Sequence, residues 1–292
     1  MSTASCCSMS PAPRYTGTAQ AKIVEFLRKL SEDNQVIYTA HSPFMIDADH
    51  LETIRPVYEE PGTGATKISD DVWPKDKDAL FPLQAALGYQ LAQSLFISRR
   101  QALLEGITDY WIFKSLDYAT RATGREALHP SIILTPSGGA SRMMPLASML
   151  LGHDVDVVAV LDGDEPGRRE GQKLADKLLG DASRTIFTGD FSPAGNTTGE
   201  TEDLFPEDYY LAAVMKAHGN IDLRFNAQEQ QIPNMIDRLT ALFAREDHGD
   251  IEKWKIARAL ADTIDADPQA VPAQTLDAAA QIFHKTNALI GP

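Results

Sequence analysis

One segment constrains the fold of this 292-residue chain more than any other: residues 156–164 (DVVAVLDGD), an apolar run followed by two aspartates. Its uninterrupted, β-branched core is typical of a strand that is buried on both faces of a parallel sheet. From Arg99 onward, such runs alternate with segments of helical periodicity. The pattern predicts strands at 101–104, 131–135, 157–161 and 184–188, and helices at 108–122, 140–151 and 167–179. That alternation predicts an α/β fold, a parallel sheet with helices on both faces.

Acidic residues follow two of these strands at the point where each strand ends. Glu105 follows the first predicted strand, with Asp109 four residues later, and Asp162 and Asp164 follow the third. Because open α/β folds place their ligands at the carboxyl ends of the strands, these four side chains should lie together at one sheet edge. Four close carboxylates need a positive partner to stay ionised. Oxygen-only ligands suit a hard cation such as Mg²⁺ or Mn²⁺.

Each acidic residue also has a purely structural interpretation. Asp109 favours the start of a helix electrostatically, and one of the acids in the Asp162–Asp164 loop is placed to cap the helix that follows. Lys253 and Lys255 are equally compatible with an exposed helix face. These alternatives remain open at the level of sequence.

Two motifs taken together resemble a known family. Glu-Gly-x-x-Asp at 105–109, followed by Asp-x-Asp at 162–164, resembles the Toprim domain of topoisomerases, bacterial primases, small RNA-maturing nucleases and OLD (overcoming lysogenization defect) nucleases. Upstream, residues 35–46 (QVIYTAHSPFMI) resemble the last strand and switch-histidine segment of an ABC-type ATPase, with His41 as the switch-like histidine. An ABC-type tail running directly into a Toprim domain is the arrangement of the OLD nucleases.

The resemblance implies a domain organisation for the chain. It predicts a flexible tail at 1–20, a C-terminal remnant of the ABC-type ATPase domain at 21–70, a linker and helix at 71–98, and a Toprim nuclease domain at 99–292 with a helical insertion at about 207–246. No Gly-x-x-x-x-Gly-Lys-Ser/Thr loop occurs in the chain. We therefore expect no ATPase activity from this chain alone, and an ATPase domain or subunit as its partner.

The resemblance also implies a site for two Mg²⁺ or Mn²⁺ ions. Glu105, Asp109 and Asp162 would hold one ion, and Asp164 with Glu202 or Glu200 would hold the other. Glu202 is preferred and Glu200 is the second choice, since alternate residues of an extended segment share a side. Asp203, next in the chain, is placed to cap the following helix.

A lysine late in the Toprim domain is implicated in OLD catalysis. The segment 253–257 (KWKIA) resembles the part of the family that carries it, which makes Lys253 the expected catalytic cation, with Lys255 equally close to the pattern. Together with Glu105 and Asp162, Lys253 completes the predicted catalytic set. A fixed ammonium beside the metals would stabilise charge in the transition state.

The formal net charge of −14 argues against a general nucleic-acid-binding protein, although clustered acids are what a metal-dependent nuclease needs. Local basic groups are the candidates for contact with DNA phosphates, or else ordinary solvated helix faces. These candidate DNA-binding residues are Arg168, Arg169, Lys173 and Lys255.

The sequence and the resemblance together predict a metal-dependent endonuclease that cleaves DNA by a two-metal mechanism, without ATP and in a family often used in anti-phage defence. An RNA-cleaving or other Toprim enzyme, and a non-catalytic assembly subunit of an ATPase–nuclease complex, remain alternatives. A homodimer is expected from the family. Cys6 and Cys7 are neighbours that cannot cross-link a fold, and no apolar run approaches about 20 residues, so we expect a cytoplasmic protein without a membrane span.

Overall fold

The computed structural model describes residues 5–6, 17–40, 45, 53–55, 57–59, 64–68, 98–152, 154–219 and 223–291. The chain forms two compact units that divide between Gln93 and Ser94. His41 lies outside the described residues, and so do the linker and helix predicted at 71–98, apart from residue 98.

The first unit contains one described helix and two small sheets. Helix α1 spans Gly17–Ser31, so the predicted tail at 1–20 overlaps the start of this helix. Strand β1 (Ser5–Cys6) pairs in parallel with β2 (Val36–Ile37), which lies in the segment 35–46 that resembles an ABC-type ATPase. Strand β3 (Val57–Glu59) pairs antiparallel with β4 (Thr66–Ile68).

The second unit is built on a four-stranded parallel sheet. Its strands are β5 (Arg100–Leu104), β6 (Ile132–Pro136), β7 (Asp156–Leu161) and β8 (Thr185–Phe187). Their order across the sheet is β6-β5-β7-β8, and every pair is parallel. The α/β fold predicted from the sequence is confirmed, because the apolar runs form buried strands where the alternation placed them.

Helices cover both faces of this sheet. They are α2 (Ile107–Ala122), α3 (Ala140–Leu151), α4 (Glu165–Leu174), α5 (Glu207–Ala217), α6 (Met235–Glu246), α7 (Lys253–Ala266) and α8 (Ala273–Ile290). A π-helical segment, Ala175–Leu179, extends α4. On one face, Met143 and Leu150 of α3 and Leu174 of α4 share a core with Val157 and Ala159 of β7. Helices α2 and α8 pack on the other face, against β5, β6 and β7.

The segment predicted as a helical insertion, 207–246, carries α5 and α6 and is tied to the rest of the unit. Helix α7 packs against both α2 and α5. Arg238 Nη1 of α6 donates to Glu207 Oε2 of α5 at 2.9 Å. The Met235 N–H at the start of α6 donates to Asp203 Oδ1 at 3.0 Å, which joins the insertion to the acidic segment after β8.

The order of the strands opens a crevice at one edge of the sheet. From β5 the chain turns into α2 on one face, whereas from β7 it turns into α4 on the other. Neighbouring strands whose outgoing connections part in this way leave a cleft at their carboxyl ends, which is where open α/β sheets bind ligands. Among the helices that the structure describes, none is long and apolar enough to cross a membrane.

Candidate active site

Glu105 and Asp162 meet because of the register between β5 and β7. Leu104 lies opposite Val160, so the next residue of each strand continues in step and brings Glu105 to the end of β7. The Asp162 N–H donates to Glu105 Oε1 at 3.0 Å. The sequence-based expectation that these strand-end acids lie together is correct for this pair, and the contact fixes the direction of the Glu105 side chain.

A turn after β6 holds Glu105 from the other side. Ser137 Oγ donates to the Glu105 carbonyl oxygen at 2.9 Å, and the Gly139 N–H donates to the same oxygen at 2.6 Å. Gly138 and Gly139 have φ values of 79° and 122°, which favour glycine. This glycine pair closes a tight strand-to-helix turn and anchors the backbone that carries Glu105.

Asp109 lies in the first turn of α2, as the sequence predicts. Its Oδ2 accepts the Gly106 N–H at 2.8 Å, and its carboxylate also makes a hydrogen bond with the side chain of Thr201. The helix-start interpretation of Asp109 is therefore correct, and its role as a metal ligand stays a prediction. One carboxylate starts the helix and faces the residues that follow β8.

Two threonines that the sequence analysis did not single out orient Asp162. Asp162 Oδ1 accepts the Thr201 N–H at 2.9 Å and Thr201 Oγ1 at 3.3 Å, and Thr188 Oγ1 lies 3.4 Å away. Thr201 also contacts Asp109, so it connects the two acids. Its position between Glu200 and Glu202 was the only signal in the sequence, and hydroxyl partners of a carboxylate cannot be recognised from spacing.

Glycines bring the Asp162–Asp164 loop against the segment that carries Thr201. The Gly163 N–H donates to the Gly199 carbonyl at 2.8 Å. A Cβ atom added to Gly163 would lie 2.4 Å from the Thr197 carbonyl oxygen, and one added to Gly189 would lie 2.4 Å from the same atom. Because real Cβ atoms do not approach that closely, glycine at both positions is what lets the two loops touch.

Asp164 and Asp203 both act as caps. Asp164 Oδ1 accepts the Gly167 N–H at 2.7 Å as the N-cap of α4, which is the structural alternative the sequence left open for this loop. Asp203 Oδ2 accepts the Glu200 N–H at 2.9 Å, and its Oδ1 accepts the Met235 N–H of α6. The prediction that Asp203 caps the helix that follows is wrong, because Pro206 is the N-cap of α5 and no side chain caps it. Asp203 instead caps the 3₁₀ helix Thr201–Leu204 and the start of α6.

Glu200 and Glu202 occupy different environments, contrary to the expectation that they share a side. The backbone is extended at Glu200, but a 3₁₀ helix begins at Thr201 and turns Glu202 inward until it is only 6% exposed. Lys253, the first residue of α7, donates its Nζ to Glu200 Oε2 at 2.8 Å. Lys255 instead pairs with Glu252, at 2.5 Å, so the geometry distinguishes the two lysines that the sequence left equivalent.

Burial and mutual repulsion perturb this cluster. Burial, with further contributions from Asp109, Asp164 and Glu200, raises the pKa of Glu105 to about 7. Burial also raises the pKa of Glu202 to about 7, against the opposing effect of Lys253. The pKa values of Asp109 and Asp162 are raised as well, chiefly by burial. The crevice therefore holds more carboxylate than it can keep ionised, which is the electrostatic condition that a bound cation relieves.

The donor set fits a hard divalent cation chemically, since every candidate ligand offers oxygen. Within the described residues, however, no three Asp, Glu, His or Cys side chains stand together as a set that could hold a metal ion. Glu105, Asp109, Asp162 and Asp164 each accept hydrogen bonds from backbone N–H groups instead.

The basic residues predicted to contact DNA are engaged within the protein. Arg168 Nε donates to the Gly163 carbonyl at 2.9 Å, its Nη2 donates to Asp190 Oδ1 at 2.6 Å and to the Thr197 carbonyl at 2.5 Å, and the guanidinium lies 4.7 Å from the centre of the Phe187 ring. Arg168 thus ties the Asp-x-Asp loop to the 190–197 segment, and its contact with DNA stays a prediction.

The other three predicted DNA contacts lie in exposed or partly exposed ion pairs. Lys173 and Arg169 approach Glu170 at 2.6 and 3.8 Å, and Lys255 pairs with Glu252. Surface pairs of this kind are weak, so these side chains can exchange their carboxylate partner for a phosphate. Their contact with DNA stays a prediction.

Comparison with known proteins finds remote similarity. No family model matches the chain. An uncharacterized protein of Methanocaldococcus jannaschii is 24% identical over 241 residues, which cover 78% of this chain and 57% of that protein. The chain thus spans little more than half the length of this relative. Among solved structures, the C-terminal region of the Burkholderia pseudomallei OLD protein matches at 19% identity with a TM-score of 0.38, over 64% of this chain and 97% of that one.

Proposed function

We propose that this chain is a divalent-metal-dependent endonuclease of the OLD type, which cleaves DNA phosphodiester bonds. The observation that carries the proposal is the convergence of acids at the crevice between β5 and β7. Glu105, Asp109 and Asp162 come from the ends of adjacent elements, buried Glu202 joins them electrostatically, and Lys253 stands beside them. The Toprim-like spacing of the same acids supports it.

Each side chain has a role in this proposal. Glu105, Asp109 and Asp162 would hold one Mg²⁺ or Mn²⁺ ion, and Asp164 with Glu202 or Glu200 would hold a second. When bound, such a pair of ions would supply an activated water and would stabilise charge on the leaving 3′ oxygen. Lys253 offsets charge that develops on the scissile phosphate.

Thr201 and the Asp162–Glu105 hydrogen bond keep the acids from swinging away from the crevice. Carboxylates that are themselves hydrogen-bonded are better oriented as metal ligands, and loss of such a partner typically lowers metal affinity 10–100-fold. Arg168 likewise holds the Asp162–Asp164 loop in place, because it donates hydrogen bonds both to the Gly163 carbonyl and to the 190–197 segment.

The proposal extends to the partners of this site: ATP, an ATPase, DNA and a second copy of the chain. Because the chain shows no phosphate-binding loop for ATP, cleavage proceeds without ATP, and residues 21–70 complement an ATPase domain or subunit. Arg169, Lys173 and Lys255 contribute contacts to DNA phosphates. A homodimer acting in anti-phage defence in the cytoplasm completes the proposal, by analogy with the family that the motifs resemble.

The test is the conversion of supercoiled plasmid to nicked and linear forms. Wild type, Asp162→Asn and Glu105→Gln would be compared with Mg²⁺, Mn²⁺ or Ca²⁺ and without ATP. Asp154→Asn is the matched control, because Asp154 is exposed in the turn before β7 and its positive φ suits asparagine equally well. Cleavage with Mg²⁺ or Mn²⁺ that is lost in the two site variants and kept in the control is the expected result.

Parallel reactions with single-stranded and structured RNA separate the remaining alternatives. Cleavage of RNA in preference to DNA would replace the proposed substrate while keeping the site. A wild-type protein that cleaves neither substrate, with any of the metals, would contradict the endonuclease and favour the non-catalytic assembly subunit. One observation favours the assembly subunit: among the described residues, no three acidic, histidine or cysteine side chains stand close enough to share a metal ion.

A further inference from the structure

The contact between Glu200 and Lys253 has no counterpart among the roles assigned above. Lys253 Nζ lies 2.8 Å from Glu200 Oε2, with the carboxylate side chain 14% exposed and the lysine side chain 44% exposed. The two residues are separated by 53 positions in the chain. Because the Glu200 carboxylate is nearly buried, it restricts the position of the Lys253 ammonium more than the partner in an exposed surface ion pair would.

Lys253 stands at an unfavourable place for a cation. As the first residue of α7 it meets the positive end of the helix dipole, which disfavours a positive charge by about 0.3–1 kcal/mol. Within the same turn, Lys255 forms an ion pair with Glu252, the N-cap residue of α7. The acceptor that offsets the penalty at Lys253 is Glu200, from a distant loop, so the pair places the ammonium beside the acids.

The local backbone separates Glu200 from its neighbour Glu202. Asp203 holds the Glu200 N–H, and Asp162 holds the Thr201 N–H, so Glu200 is pinned on both sides while its carboxylate reaches Lys253. Glu202 turns into the interior with the rest of the 3₁₀ helix. The two glutamates therefore cannot exchange roles, although the sequence treats them as alternatives for one.

We infer that Glu200 is a positioning residue that holds the Lys253 ammonium against the acids, and that Glu202 is the glutamate available to the second metal ion. The catalytic role of the ammonium rests on the proposed function, whereas the contact between Glu200 and Lys253 does not. Lys253 holds Oε2 of Glu200 in a charge-assisted hydrogen bond, so only Oε1 is left to bind a metal ion, beside a fixed positive charge. Among the described residues, no side chain holds the Glu202 carboxylate in an ion pair of that length.

The first experiment measures the lysine without relying on any activity. Metal-free protein would be treated briefly with acetic anhydride, and the acetylation of each lysine followed by mass spectrometry. Glu200→Gln should raise the acetylation rate of Lys253 several-fold and leave Lys255 unchanged, whereas the control Glu252→Gln should do the reverse. An unchanged rate at Lys253 in Glu200→Gln would overturn the inference, whether or not the protein is a nuclease.

The second experiment separates a positioning residue from a ligand. Isothermal titration with Mn²⁺ should give the same number of bound ions for wild type and Glu200→Gln, and one fewer for Glu202→Gln. In plasmid cleavage, Glu200→Gln should lower kcat roughly 10–100-fold, the equivalent of one hydrogen bond to a charged group, with KM unchanged. Loss of an ion in Glu200→Gln would show that Glu200 is a ligand and refute the assignment.

A double-mutant cycle completes the design. If Glu200 acts through Lys253, then Glu200→Gln added to Lys253→Gln should cost nothing further in kcat. Losses that multiply would mean that the two residues act independently, which contradicts the inference. A wild-type protein that binds no Mn²⁺ and cleaves no substrate would refute the proposed function, while the acetylation result would still decide the Glu200–Lys253 contact.

Discussion

Glu202 should make the metal-free protein less stable as the pH rises, and replacing it with glutamine should remove much of that loss. Its side chain is buried, and burial raises its pKa from 4.5 to about 7. Glu200 and Asp109 add to this effect, while Lys253 opposes it. Glutamine preserves the size of the side chain and removes the charge, so Glu202→Gln isolates the electrostatic contribution.

The sign of the effect follows from the two pKa values. Below about pH 4.5 the glutamate is protonated in both the folded and the unfolded chain. As the pH rises from 4.5 to about 7, the unfolded chain releases the proton and the folded chain keeps it, so the free energy of unfolding falls. At 1.36 kcal/mol per pKa unit, that interval corresponds to about 3 kcal/mol. For a domain of 150–250 residues, this is a decrease of roughly 6–12 °C in Tm.

Thermal unfolding in EDTA at pH 5, 6, 7 and 8 measures the effect. The wild-type Tm should fall across this series, and the Glu202→Gln Tm should fall less and exceed the wild-type value at pH 8. Part of the slope should persist in the variant, because burial raises the pKa of Glu105 to about 7 as well. Glu246→Gln, at the exposed end of α6, is the control and should follow the wild type.

Addition of Mn²⁺ at pH 8 should restore the wild-type Tm, since a ligand that binds only the folded state stabilises it. A wild-type Tm that stays level or rises between pH 5 and 8 would refute the reasoning. So would a Glu202→Gln protein that is less stable than wild type at pH 8, because Glu202 would then be stabilising as an anion through Lys253.

Three further predictions concern residues that hold the site together. Thr201→Val should weaken Mn²⁺ binding roughly 10–100-fold by calorimetry, and Thr188→Val should weaken it less, because its hydroxyl lies 3.4 Å from Asp162. Gly163→Ala should lower the free energy of unfolding by about 1–3 kcal/mol in urea, since its Cβ would meet the Thr197 carbonyl at 2.4 Å. Arg168→Met should cost about 2 kcal/mol in the same assay, and an unchanged midpoint would mean that the arginine is solvated.

The sequence predicted the framework of the second unit because the relevant information is local. The apolar run of β7 and the helical periodicity after it locate strand and helix within a few residues. Since acids follow two strands that must be adjacent and parallel, the meeting of Glu105 and Asp162 could also be predicted. The same local signals placed Asp109 in the first turn of α2.

The partners of those acids could not be predicted in this way. Thr201 lies 39 residues from Asp162, and nothing in the spacing of a threonine shows that its hydroxyl reaches a carboxylate. The hydrogen bonds of Arg168 to Asp190 and Thr197 could not be predicted for the same reason. In the sequence, a basic residue on a helix has the same pattern whether it faces solvent or a loop.

What the sequence determined by itself is therefore the sheet, its flanking helices and the edge at which the acids gather, because periodicity and strand ends are properties of neighbouring residues. The tertiary structure decided which glutamate is buried, which lysine faces the crevice and which glycine permits two loops to touch. Glu200 and Glu202 differ by only two positions, yet a 3₁₀ helix that begins at Thr201 sends one to Lys253 and the other into the interior. Such choices depend on distances between segments that are remote in the chain, and no local pattern encodes them.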